Sequence, residues 1–168
     1  MPDLNSAPRP SQLWKQLPAD RKFQAAEAFW RDENARAEQG EAAALIAQRI
    51  KFRLKSVLSM PVEKKTRYLV TLPGISELVA ARLLVSYHLQ HQRPMMARFL
   101  DTLGIRHEDG LIAEEEMSPL SADRVNAAAQ TLAESFPADD VSLYFSTLLW
   151  QDPDTWGVLA ELPHVQRA

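Results

Sequence analysis

Apolar side chains recur along this chain at intervals of three and four, the spacing of one helix face, and prolines fall at the joints of the pattern. After an arm running to about Pro10, the pattern predicts a short helix over Ser11 to Gln16 that carries Leu13 and Trp14. A second is expected from Pro18 to Glu33, with Phe23, Ala26, Phe29 and Trp30 on one face, and a third from Gly40 to Leu58, striped by Ile46, Ile50, Leu54 and Val57. A fourth spans Pro61 to Leu72, with Glu63 in the first turn, where the helix dipole favours an acid. The fifth, Ser76 to Gln90, contains "LVAARLLV" and is apolar on nearly every side, which marks it as the central helix.

The sixth helix is expected over Pro94 to Leu103, ended by Gly104 in a left-handed cap. Residues 105–117 show no period and read as a loop. The seventh begins at Ser121, whose hydroxyl can cap it, and Leu120 and Val125 occupy the two positions of a hydrophobic staple. An eighth covers Ala138 to Trp150, with Val141, Tyr144, Phe145 and Leu148 on one face. The ninth takes Asp152 as its cap and Pro153 as its first residue. No run alternates β-branched and polar residues, so no sheet is expected. The reading is an all-α fold, an irregular orthogonal helical bundle of eight or nine short helices around a buried central helix at about 76–90. Residues 1–10 are expected to form a flexible arm and residues 11–168 a single domain.

Composition narrows the chemistry. The 168 residues, 46% of them hydrophobic, suffice for one buried core. The absence of cysteine excludes disulfides, thiolate nucleophiles and cysteine-held metals. No apolar run approaches the roughly 18 residues of a membrane span, and the N-terminus has no apolar signal core, so a soluble cytoplasmic protein is expected. The net charge of −3 conceals a division along the chain. Residues 1–48 carry six basic and seven acidic side chains; residues 49–98 carry ten basic against two acidic, a net of +8. Residues 99–168 carry three basic against thirteen acidic, a net of −10. Such asymmetry points to an electrostatic partner.

The stretch "LVTLPGISELVAARLL" from Leu69 to Leu84 resembles a DNA-binding helix-hairpin-helix element over about residues 64–84. Pro73, Gly74 and Ile75 match the loop of that motif, and Ala80, Leu83 and Leu84 match the packing face of its second helix. The resemblance implies that loop amides at a helix N-terminus bind a phosphate without reading sequence, through Gly74, Ile75 and Ser76 with Lys64, Lys65 and Arg67 adding contacts. Ser76 departs from the pattern, standing where a second glycine is usual. The plain alternative is a corner between two packed helices. Glycosylases of the same superfamily carry a catalytic aspartate downstream, but Asp101 lies too far from the loop, and Leu78 occupies the region where the bifunctional members have lysine.

His88 and His91 lie three apart on one helix and could chelate a metal with a third ligand from His107, Glu108 or Asp109, the alternative being solvated surface histidines. Arg82, amid apolar neighbours, is expected to snorkel or pair with an acid rather than bind an anion. Glu114, Glu115 and Glu116 read as a solvated run, and Glu161 and His164 have a carboxylate-bridging spacing that Pro163 breaks. No phosphate loop, dinucleotide fingerprint or nucleophile elbow occurs, and no cofactor is expected. The leading reading is a non-enzymatic protein-interaction or adaptor domain, its partner another protein or a weak homo-oligomer such as a homodimer, with no membrane. A nucleic-acid-binding module is the alternative, and an enzyme without a recognisable local motif stands third.

Overall fold

The computed structural model describes residues 8–113 and 120–162. The arm before Pro8, the Glu114 to Glu116 run and the Pro163–His164 pair lie outside them. The chain is all-α: the described residues form ten α-helices, two short 3-10 turns and a two-stranded hairpin. None of the helices is long and apolar enough to cross a membrane. Contacts group the chain into two compact units, one over Pro10–Gln90 and the other from His91 onward, with Pro8 and Arg9 belonging to the second.

The first unit opens with α1 (Pro10–Gln16), which buries Leu13 and Trp14. The carboxylate of Glu77 accepts from the Ser11 amide at 3.0 Å and from the Ser11 hydroxyl, so an acid distant in sequence does the work of a capping residue. Helix α2 (Ala19–Arg31) buries Ala25, Ala26, Phe29 and Trp30 and stops at Asp32. The side-chain amide of Gln39 donates to the carbonyls of Phe29 and Asp32 at 2.8 and 2.9 Å, satisfying groups that the end of α2 leaves open. Asp32 caps the 3-10 turn at Glu33–Ala35 by accepting from the Asn34 amide, and accepts the Ser86 hydroxyl at 2.8 Å.

The expected third helix, Gly40 to Leu58, is two helices. α3 (Arg36–Ile50) begins earlier and ends where Lys51 turns left-handed at φ 59°, with the Phe52 amide donating back to Ala47. α4 (Leu54–Leu58) follows. The break exposes Leu54, which the single-helix stripe placed inward, while Ile46 and Val57 remain fully buried. α5 (Val62–Val70) packs on α2 and, to a lesser extent, on α3. α6 (Glu77–His91) buries Val79, Ala80, Leu83, Leu84, Ser86, Tyr87 and His88, while Leu78 faces solvent.

The second unit is built on α7 (Arg93–Leu103), α8 (Ala122–Ser135) and α9 (Ala138–Gln151). Gly104 takes the expected left-handed cap at φ 71°, and the Arg124 guanidinium donates to the Leu103 carbonyl at 2.6 Å, tying α8 to the end of α7. Ser121 caps α8, accepting from the Arg124 amide at 3.1 Å. Asp152 caps α10 (Pro153–Trp156), and its bonds from the Thr155 hydroxyl and amide hold its carboxyl below the usual range. A 3-10 turn at Gly157–Glu161 follows. Phe99 is the hub of the core, its ring centroid 5.7 Å from Tyr144, 5.0 Å from Phe145 and 5.8 Å from Trp156. Burial pushes the Tyr144 phenol upward, keeping it protonated.

The predicted loop over 105–117 contains a hairpin, β1 (His107–Glu108) against β2 (Leu111–Ile112), turned by Asp109 at φ 50° and Gly110 at φ 92°. Two positive φ values on Asp-Gly are the signature of a type I′ turn. A Cβ on Gly110 would stand 2.8 Å from Met96 Cβ and 3.2 Å from the Arg93 carbonyl oxygen. Gly110→Ala is therefore expected to cost about 2 kcal/mol in urea denaturation, whereas Asp109→Asn, equally at home left-handed, stays within about 0.5 kcal/mol.

Candidate interaction surfaces

At the corner between α5 and α6 the chain leaves the first helix at Val70, and the amides of Thr71 and Leu72 fold back onto Tyr68 and Leu69. Pro73 and Gly74 are exposed, while Leu72, Ile75 and Ser76 are half-buried. The Ser76 hydroxyl accepts from the Val79 amide at 3.2 Å, so the residue that departs from the helix-hairpin-helix pattern acts as the N-cap of α6. Among the described residues, the amides of Gly74, Ile75 and Ser76 donate to no protein acceptor. A Cβ on Gly74 would meet nothing within 4 Å, so the corner itself does not require glycine.

The cations expected beside this loop are largely engaged elsewhere. Arg67 pairs with Glu63 along its own helix. Lys65 lies 4.7 Å over the Trp30 ring, and burial lowers its pKa. Only Lys64 of the three is exposed without a partner. The loop instead borders a cavity of about 130 Å³, lined by Ser11, Lys15 and Lys22 together with Leu72, Gly74 and Ile75. Neither lysine has an acidic partner among the described residues. Sequence reading missed both because they arrive from α1 and α2, some fifty residues upstream, with no local signal.

The two histidines singled out as a metal pair have opposite environments. His88 is buried, its Nδ1–H donating to the Leu84 carbonyl at 2.7 Å, while His91 is exposed. His107 braces the hairpin: its Nδ1 accepts from the Gly110 amide at 3.0 Å, leaving Nε2–H to donate to Asp101 at 2.6 Å. No group of three or more histidines and acids placed to hold a metal ion occurs among the described residues. Arg82 faces Glu38 at 3.7 Å, in keeping with an ion-paired side chain.

A different surface stands out on the basic middle of the chain. The break at Lys51 leaves six consecutive residues, Lys51 to Ser56, exposed. Phe52 is 50% exposed, Leu54 44% and Leu58 43%, although all three are large apolar side chains. Arg49, Lys51, Arg53 and Lys55, all exposed, precede or alternate with them along the chain, and none has an acidic partner among the described residues. Single exposed apolar residues are ordinary; three within seven residues, interleaved with cations that have no acidic partner among the described residues, are an unusual concentration.

Comparison with known protein families, with curated proteins and with solved structures finds no match to this chain.

Proposed function

We propose that the chain is a non-enzymatic protein-interaction domain whose residues 49–58 dock an acidic surface of a partner protein. One observation carries this reading: Phe52, Leu54 and Leu58 stand exposed together among four cations that no acid of the described residues neutralises. Burying the three side chains against a partner recovers their apolar contribution, and the cations select for acidic surroundings and repel basic ones.

The test is titration of the protein into a fluorescent amphipathic peptide with glutamate and leucine at helical spacing. Phe52→Ser with Leu58→Ser, and separately Lys51→Glu with Lys55→Glu, are each expected to weaken binding about ten-fold or more, a loss of about 1.4 kcal/mol. These side chains are exposed, so helical content should not change. Equal binding by both variants would overturn the reading. So would tighter binding of duplex DNA or of anionic vesicles through the same residues.

A second reading is favoured by the unpaired amides of Gly74 and Ile75, which line one cavity with Lys15 and Lys22, and by that of Ser76 next to them in sequence: non-specific contact with a nucleic-acid phosphate. In the same titration, duplex DNA binding that is lost in Lys15→Glu with Lys22→Glu, but kept in the 49–58 variants, would select it.

A further inference from the structure

The proposal that residues 49–58 form a docking face leaves its partner unnamed, and the chain itself carries a surface of opposite character. Trp150, in the last turn of α9, is 42% exposed, an uncommon placement for the largest aromatic side chain. Acids follow it: Asp154 four residues on and Glu161 at the end of the 3-10 turn, both exposed and without a basic partner among the described residues. The C-terminal carbonyls of α9 add the negative end of a helix dipole beside the indole. Asp123, Glu134 and Asp139 are exposed on the same unit. Here an exposed apolar side chain is followed along the chain by exposed acids, whereas Phe52, Leu54 and Leu58 are interleaved with exposed cations.

We infer that the partner of the basic 49–58 face is a second copy of this chain, which presents its acidic face around Trp150; the inference rests on the docking-face reading above. Charge complementarity carries it. The segment 49–98 bears +8 and the segment 99–168 bears −10, so a contact between the two on different molecules opposes fields of comparable size and opposite sign. The chemistry at the centre also matches. An indole face takes an arginine such as Arg49 or Arg53 by cation–π attraction, and Asp154 and Glu161 supply carboxylates to Lys51 and Lys55. The two faces are unlike, so the contact is heterologous, and each copy contributes its basic face to one contact and its acidic face to another.

Sedimentation velocity of the full chain across a concentration series tests this at about 0.01 M and about 1 M ionic strength, over which the screening length falls from about 30 Å to about 3 Å. Self-association is expected at low salt and absent at high salt. Trp150→Ala should abolish it while leaving binding of the acidic peptide to the 49–58 face unchanged. Lys55→Glu alone and Asp154→Lys alone should each weaken it about ten-fold, and an equimolar mixture of the two variants should associate again, because each reversed face meets its reversed counterpart. A monomer at every concentration in low salt, or self-association untouched by Trp150→Ala, overturns the inference. If the monomer still binds the acidic peptide through Phe52 and Leu58, only the identity of the partner falls. If it binds neither, the docking face falls with it.

Discussion

Replacing Phe99 by alanine is expected to cost about 3–5 kcal/mol of stability, the largest loss from any single substitution considered for this chain. The side chain is fully buried, and three aromatic rings meet it within 6 Å, so truncation removes both apolar burial and the tilted and edge-on ring contacts around it. Tyr144 and Trp156 come from α9 and α10, which makes the loss one of contacts between helices rather than of helix formation. Urea denaturation followed by near-ultraviolet circular dichroism reads it directly. Phe99→Leu, which refills part of the volume, should recover more than half of the loss. Phe52→Ala supplies the contrast: the same residue type at an exposed position should change stability by no more than about 0.5 kcal/mol. Equal effects at the two positions would refute the assignment of Phe99 to the core.

Acid is expected to destabilise the fold through His88. Burial of the imidazole, opposed only in part by its bond to the Leu84 carbonyl, lowers its pKa from 6.5 to about 4. In the unfolded chain the ring returns to its ordinary value. Below pH 6.5 the unfolded state therefore binds a proton that the folded state refuses, and the equilibrium shifts toward unfolding. The contribution is fully present above pH 6.5 and is lost as the pH falls toward about 4, reaching about 3 kcal/mol at the lower end. Denaturation midpoints should drop across this window, and the drop should be shallower in His88→Gln. Because that variant removes a buried contact as well, a second measurement is needed: the imidazole resonances of His88 in the unaltered protein should stay in their neutral form down to about pH 4. A ring that titrates near 6.5 would remove His88 as the cause.

Local chemistry made much of the fold legible in the sequence. Ser121, Gly104 and Asp152 were readable as caps because a hydroxyl, a missing Cβ and a carboxylate each suit one helix end and no interior position. The break at Lys51 was not readable, because neither glycine nor proline marks it; a lysine accepts the left-handed conformation there, and burial of Val57 after the turn accompanies it. That one missed break moved Leu54 from the core to the surface and concealed the exposed apolar group beside it. The hairpin at Asp109–Gly110 did carry a signal, the dipeptide itself, but strands of two residues are too short to show alternation. The residues at the 70–76 corner were nameable from the motif, whereas Lys15 and Lys22 were not, since only tertiary packing brings them there.

The bond between Ser11 and Glu77 orders events in time as well as in space. A helix of seven residues such as α1 has little persistence alone, since nucleation costs more than so few hydrogen bonds return. Its first turn waits for a carboxylate 66 residues further along the chain. On a ribosome adding about 5–20 residues per second, the 66 residues between them take about 3–13 s to make. Through that interval Leu13 and Trp14 have been synthesised but lack the α6 end of their anchor. Helix α1 thus locks only when most of its own unit, Pro10–Gln90, has been made, and the nascent chain presents a tryptophan to its surroundings until residue 77 arrives.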